Sequence, residues 1–439
     1  MNHEKNIQLI HKLSLDKNEP SWLLDLRLKS YDEFILKSMP DWGPDLSGLD
    51  MASIKFYTDP KLREETSWED LPIEVRDTFD RLGIPEAEKK YLGGVGAQYD
   101  SGMVYHRILE SLAKQGVIFE NMDKAVHMYP ELVEAHFNKC IKYNEHKFSL
   151  LHYAFWSGGT FIYVPKGVKV SMPLQAYFRM NEISSGQFEH TLIIADEGSY
   201  VEYIEGCSAP KYNSSSIHAG GVEIFVKDRA HVKYSSIENW SHNTYNLNTK
   251  KAHVYTDSKI EWLNGNMGSH TTMLYPTSIL LGDRASNISL GVVMAGANQY
   301  QDTGSKVVHI GRDTSSIIKS KSISRDGGVS NYRGFVQVTR LAEGATSYVE
   351  CDALMLDDKS VSHTWPTNKV ENDTASIVHE ARVGKVSEET LHYLCTHGLT
   401  EEEAMRAIVG GYMSEVVKKL PLEYAIELNR LIDLEMENI

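Results

Sequence analysis

The sequence predicts a mainly β chain wound as a β-helix or β-solenoid, and three observations carry that expectation. First, a turn-like acidic or glycine cluster, a small residue and an alternating strand recur together along the middle of the chain. The small residues are Ser199, Ala230, Ser258, Ala285, Thr314, Ala345 and Ala375, spaced by 31, 28, 27, 29, 31 and 30. A near-constant period with short strands means stacked units, none of which buries a face alone. Second, the strands alternate with period two, as in Val222-Glu223-Ile224-Phe225-Val226 and Phe335-Val336-Gln337-Val338, and helix-period runs are nearly absent from about 155 to 380. Third, a β-sandwich would carry repeated two-residue hairpin turns. Asn264-Gly265 and Asp326-Gly327 are the only Asn-Gly or Asp-Gly pairs.

In chain order, residues 1–150 read as an α-rich N-terminal domain. Helical patterns run over Pro20 to Leu28 and Val104 to Leu112, joined by polar connectors such as Pro60 to Asp70. Residues 151–380 form the β-helix core, opened by the glycine- and proline-bracketed strand from Trp156 to Gly167. Residues 381–439 turn helical: Ser387-Glu388-Glu389 and Thr400-Glu401-Glu402-Glu403 are N-caps with acidic first turns, Gly398 is a C-cap, and Pro421 marks the start of a third helix. These helices either cap the open end of the solenoid or present the apolar stripe Ala404, Ile408, Tyr412 and Val416 to another subunit.

Composition narrows the function. A formal charge of -15 over 439 residues disfavours nucleic acid, which needs a cationic surface. No apolar run approaches ~18 residues and no charged-then-apolar leader opens the chain, so no membrane partner is expected. The expected compartment is the cytoplasm, or the plastid stroma if the gene is organellar. Cys140, Cys207, Cys351 and Cys395 lie far apart without a C-x-x-C pair, which predicts free thiols, and Cys395 reads as a small buried packing residue. No phosphate-binding G-x-x-x-x-G-K-[ST], G-x-S-x-G elbow or H-E-x-x-H helix is present, so the chain encodes no ATPase.

Two cysteines stand out by position. Cys351 lies on the run Val349 to Leu354, and His379-Glu380 follows 28 and 29 residues later, about one period, so a thiol, a proton acceptor and a carboxylate are expected to stack. Cys207 is eight residues past Ser199, and Glu238 is eight past Ala230. Cys207 and Glu238-Asn239-Trp240 are therefore expected on neighbouring coils.

Longer runs add a resemblance. Phe178-Arg179-Met180-Asn181, Gly186 to Glu197, Tyr203 to Pro210, Glu238-Asn239-Trp240, Ser320 to Ser324, Tyr332-Arg333-Gly334, Glu350-Cys351-Asp352, His379-Glu380-Ala381 and Leu420 to Ala425 resemble SufB of the SufB/SufD family, the scaffold subunits of SUF iron-sulfur cluster assembly. The resemblance implies a right-handed parallel β-helix flanked by helical domains, acting as an assembly scaffold and not as an enzyme. It implies a transient iron-sulfur cluster as cargo and allows a reduced flavin in the complex. The implied partners are a SufC-type ABC ATPase on the C-terminal helices, SufD or a second SufB, and a cysteine desulfurase or its sulfur-transfer partner. By the same resemblance Cys207 accepts sulfur, Arg179, Asn181, Glu238, Trp240 and Lys250 line its relay, with Arg179 or Lys250 expected to favour the reactive thiolate, and Cys351, His379 and Glu380 surround the assembly site. Glu238 stands where the family often has glutamine, Val378 where it often has an acid, and Trp365-Pro366-Thr367 differs from its usual proline-tyrosine neighbourhood. A SufD-like structural partner and a β-helix polysaccharide lyase or hydrolase are the competing readings.

Overall fold

A computed structural model describes residues 3–58, 64–65, 67–81, 84–182, 184–209 and 214–418, with 425 and 429, except for the side chains of 74, 78, 81, 86, 87, 415 and 416. Its centre is a parallel β-helix. One sheet stacks, in order, Gly94–Tyr99, Leu174–Arg179, Tyr200–Ser208, His231–Trp240, Lys259–Gly268, Ser286–Ala295, Ser315–Ser324, Thr346–Met355 and Ser376–Lys385. Every neighbouring pair in this series is parallel. The facing sheet takes two short strands from each of the earlier coils, as in Ser216–His218 with Gly221–Val226 and Thr244–Asn246 with Thr249–Val254, and one long strand from each of the later ones, Tyr300–His309, Val329–Val338 and Val361–Val370.

The repeat read from sequence is the physical register. Tyr200, His231, Lys259, Ser286, Ser315, Thr346 and Ser376, each one residue after its small anchor, lie side by side across seven strands. Ser199, Ala230, Ser258, Ala285, Thr314 and Ala345 are buried at the corners, where a larger side chain would collide with the next coil. The residue before each of these six anchors has positive φ: Gly198, Arg229, Asp257, Arg284, Asp313 and Gly344. Aspartate and glycine suit that left-handed position; the two arginines occupy it at a cost of roughly 1 kcal/mol each.

Alternation sorts the strand residues between two surfaces. Tyr203, Cys207, Val232, Tyr234, Trp262, Ile318, Val349 and Cys351 point inward into one continuous core. Ile204, Ile237, Leu263, Leu290, Val292 and Ile323 point outward and are covered by Met405, Val409 and Met413 of the helix Glu401–Val417. The C-terminal helix thus lies along the side of the solenoid and leaves its last coil open. On the opposite flank, the helices His3–Asp16, Ser21–Leu36 and Lys147–Phe155 pack through Ile10, Tyr31, Phe34 and Phe155 against Phe161, Leu192, Ile194 and Phe225 of the second sheet.

Several local expectations change. Val104 to Leu112, read as helical, holds most of the strand Gly102–Ile108, followed by the short helix Glu110–Ala113. The antiparallel partner Gly94–Tyr99 overrides the helix-like spacing of its apolar residues. The stretch read as α-rich therefore also supplies the strands Gly94–Tyr99, Gly102–Ile108 and Ile118–Asn121 to the two sheets. Cys395 is only half-buried, unlike Cys140, Cys207 and Cys351. The third helix expected at Pro421 lies outside the described residues. Among the described residues, no helix is long and apolar enough to cross a membrane.

Buried histidines make the fold acid-sensitive. His309 is inaccessible between the Thr314 and Ser316 hydroxyls, 2.9 and 3.0 Å away, and burial lowers its pKa from 6.5 to about 4. Because the folded value is depressed, the unfolded chain binds more protons between these values, and the stability His309 confers is lost as pH falls through that window. Lowering the pH from about 7 to about 5 is expected to cost about 2 kcal/mol at this residue. Urea unfolding at the two pH values, with and without His309→Gln, checks this; an unchanged pH dependence in the variant would contradict it.

Candidate functional site

Two interior thiols define the site. The strand register pairs Cys207 with Glu238, as the equal offsets require. Glu238 and Trp240, two residues apart on one strand, both point into the core, where Lys250 meets them from the facing sheet. The Lys250 Nζ donates to Glu238 Oε1 at 2.7 Å and to Ser236 Oγ at 2.9 Å, and lies 3.8 Å from Glu205. All four residues are buried. Burial opposes every charge here, but the two carboxylates outweigh it at Lys250, whose pKa rises, and Lys250 outweighs it at Glu238, whose pKa falls. Glu205 is left with the weaker share, and burial raises its carboxyl to about 6.

This arrangement corrects the expected activation of Cys207. Burial, followed by the carboxylates of Glu205, Glu238 and Glu189, pushes its thiol well above the ordinary range, and Lys250 only partly offsets them. Arg179 does not reach it. Phe178 is the strand partner of Cys207, and Arg179, one residue on, donates to Ser208 Oγ at 2.8 Å. Asn181 lies past that strand, its backbone N–H bonded to Asp100 Oδ1 at 2.6 Å. Of the expected relay residues, Glu238, Trp240 and Lys250 gather around Cys207, whereas Arg179 and Asn181 lie at the strand's end.

Cys351 lies five strand spacings farther along the same sheet, about 24 Å at ~4.8 Å per spacing. Between the two thiols the core contains a chain of small polar groups. Ser236 Oγ donates to Asn264 at 3.0 Å, Ser278 Oγ to Asn287 at 2.8 Å, and Ser305 Oγ to Ser289 at 3.1 Å. A cavity of about 20 Å³ is lined by Asn264, Ser289, Ser305, Ser320 and Tyr332 among others, space for about one water molecule.

At the second thiol, Cys351 Sγ is 3.4 Å from His379 Nε2. The register explains the contact and corrects the expected trio. Val349 pairs with His379, Glu350 with Glu380, and Cys351 with Ala381. Alternation therefore turns Cys351 and His379 inward and Glu380 outward. Outside, Arg382 lies 3.1 Å from Glu380 and 4.0 Å from Glu350, which also pairs with Lys319 at 3.1 Å. Burial raises the Cys351 thiol to about 12, with the neighbouring Tyr332 pulling it the other way, and burial lowers the His379 pKa. The imidazole is thus a neutral proton acceptor beside the thiol. This pair sits at the open end: Trp365, Val378 and Val383 on the last two strands are 50%, 45% and 50% exposed, although each belongs to an ordered ladder.

The apolar stripe on the last helix is divided. Ala404 is fully buried within the chain itself and so cannot face a partner. Tyr412 covers the Lys321 ammonium, which also donates to its carbonyl at 3.0 Å, while Ile408 is half-buried. The Val416 side chain lies outside the described residues. The packing stripe is instead Met405, Val409 and Met413, one residue out of phase with the expected one.

Sequence reasoning passed over Glu189, Glu205, His218, Asn246 and Tyr332. A usable signal existed: Glu189, His218 and Asn246 follow one another by 29 and 28 residues, one coil each.

Fold and site together define a class: a parallel β-helix with two thiols enclosed in its core and one thiol-imidazole pair near its exposed last coil. Comparison with known proteins gives that class a family. Residues 178–412 match the SufBD core domain of SUF-system FeS cluster assembly, and residues 96–176 match the N-terminal region of SufBD proteins. The iron-sulfur cluster assembly protein SufB of Bacillus subtilis is 50% identical over 98% of this chain and 92% of its own length. Iron-sulfur cluster assembly SufBD family proteins of Staphylococcus saprophyticus and Staphylococcus aureus are 51% identical over the same shares. The chain belongs to the SufBD family of iron-sulfur cluster assembly proteins.

Proposed function

We propose that this chain is the scaffold on which a nascent iron-sulfur cluster is built, with Cys207 accepting sulfur and Cys351 and His379 holding the cluster. The observation that carries this reading is the placement of both thiols in one continuous core that also holds small polar side chains, the second thiol near its exposed end. In the first step the Cys207 sulfur attacks the outer sulfur of a donor persulfide and gives up its thiol proton. The sulfur–sulfur bond of the donor breaks, the donor cysteine leaves with that proton as a thiol, and the persulfide then resides on Cys207. Enclosure protects that species from oxidants and competing thiols. At the far end iron would displace the Cys351 thiol proton, which leaves through the open end, and would be held by soft thiolate and the neutral His379 imidazole together.

The exposed apolar side chains and free strand edges of the last coil suit a second β-helix, SufD or another copy, as the cover of the site. A SufC-type ATPase would bind the C-terminal helices and supply the energy for opening that interface, and a cysteine desulfurase or its carrier would supply the persulfide. The cytoplasm is the compartment this chemistry fits. Glu380 is placed outside the bore, so its role is to pair across the interface and not to ligate beside Cys351.

The test is anaerobic co-purification with a SufC-type ATPase, followed by iron and sulfide. Visible charge-transfer absorption is expected in the wild type, lost in Cys351→Ala at equal complex yield and reduced several-fold in His379→Ala. Equal spectra in Cys351→Ala would remove that thiol from the site.

A further inference from the structure

We propose that Glu189, Cys207 and His218 form a metal site inside the β-helix, separate from Cys351, that takes a divalent first-row transition ion such as ferrous iron. Their ligand atoms all lie within 4.8 Å of one another, and all three residues are buried. One sulfur, one imidazole nitrogen and one carboxylate oxygen form a mixed donor set suited to iron, cobalt or zinc and poorly suited to magnesium or calcium. Three protein ligands leave a further position open.

The supporting shell points the ligands inward. Asn246 donates through Nδ2 to Glu238 Oε2 at 2.5 Å. Its Oδ1 therefore faces His218 Nδ1, 3.0 Å away, so Nδ1 is the donor and Nε2 is the atom presented to Glu189 and Cys207. An imidazole whose second nitrogen is held by a neighbouring oxygen is the usual arrangement of a metal-binding histidine. Glu189 Oε1 accepts from His218 Nε2–H, a proton that leaves when a metal ion takes its place, while Glu189 Oε2 is buried and accepts no hydrogen bond among the described residues. A buried carboxylate oxygen without a donor is costly unless something positive occupies its lone pairs. Gly220 keeps the pair uncovered: a Cβ there would stand 2.5 Å from Glu189 Oε1 and 3.2 Å from His218 Nε2.

The other cluster of this kind, Glu64, His106 and Glu120, is half-exposed in part and already has the Lys124 ammonium 2.7 Å from Glu64. No lysine or arginine in the described ion pairs contacts Glu189.

This inference goes beyond the scaffold reading and does not need Cys351. The experiment is anaerobic titration of the full chain with cobalt(II), in the Cys351→Ala background that silences the other thiol-imidazole pair. One equivalent is expected to bind, with thiolate-to-cobalt charge transfer and tetrahedral ligand-field bands. Cys207→Ser is expected to abolish the charge transfer, and Glu189→Gln, which keeps the shape of the side chain, to weaken binding at least tenfold. Asn246→Ala, which removes the partner of His218 Nδ1 together with a bond to Glu238, is expected to weaken it about 10- to 100-fold. Circular dichroism of the apo variants separates lost binding from lost folding, and should any variant unfold, Glu189→Gln alone decides. Absence of stoichiometric cobalt, or a charge-transfer band that persists in Cys207→Ser, would overturn the site. Cluster assembly that fails in Cys351→Ala while cobalt binding stays intact separates this outcome from that of the scaffold reading.

Discussion

Replacing Lys250 by methionine is expected to destabilise the protein by about 3 to 5 kcal/mol at neutral pH, among the largest losses available to a single substitution. Lys250 is the cation shared by Glu238 at 2.7 Å and Glu205 at 3.8 Å, and no part of the group reaches solvent. Methionine fills a similar volume, so the loss measures charge and not cavity. Glu205 is already raised to about 6 by burial, and without the lysine it protonates first, leaving Glu238 as the unpaired charge. Two further results follow. Lys250→Met with Glu238→Gln should recover a large part of the loss, because the neutral pair needs no counter-ion. The single variant should also lose less at pH ~5 than at pH ~7, since raised carboxyl pKa values favour the folded state only while the groups are protonated. Urea unfolding of the three proteins at both pH values measures this; equal losses at the two values would exclude the charge explanation.

Glu223→Ala is expected to cost about 3 to 5 kcal/mol and to loosen the N-terminal helices from the solenoid. The Glu223 carboxylate, buried on the second sheet, accepts the backbone N–H groups of Asn138, Cys140 and Ile141 at 2.7, 2.6 and 2.8 Å and the Tyr153 hydroxyl at 3.1 Å. His190 Nε2 lies 3.3 Å away. One side chain thus satisfies three backbone N–H groups of a single turn. Removing it strands buried donors, each worth about 1 to 3 kcal/mol when left unmade. Thermal unfolding gives the loss, and limited proteolysis is expected to cut near 138–141 in the variant alone. Tyr153→Phe, which removes one donor and strands none of the N–H groups, is expected to cost about 1 kcal/mol. A Glu223→Ala loss no greater than that would show the turn to be held by other contacts.

Both sites were unequally visible in the linear chain. The stacking of Cys207 beside Glu238 followed from equal offsets after Ser199 and Ala230, because in a parallel ladder a shared offset is a shared height. The same arithmetic brought His379 within one coil of Cys351 but could not separate it from Glu380. That separation depends on parity: Val349, not Cys351, is the partner of His379, so the next residue along faces solvent. The resemblance set Arg179 in the relay around Cys207, yet its strand partner is Ser208.

The sequence by itself determined the coil. Its period, its buried small corner residues and its left-handed turn positions are local requirements, repeated until the register had no alternative. Only the tertiary structure decided what the coils enclose. The Glu238–Asn246–His218 chain, the sharing of Lys250 between two carboxylates and the inward turn of His379 join residues from different strands and opposite sheets. Packing likewise chose Met405, Val409 and Met413 over the neighbouring stripe as the buried face of the last helix. Such choices rest on which side of a strand or helix finds a complementary surface, and that surface is built by residues far away in the chain.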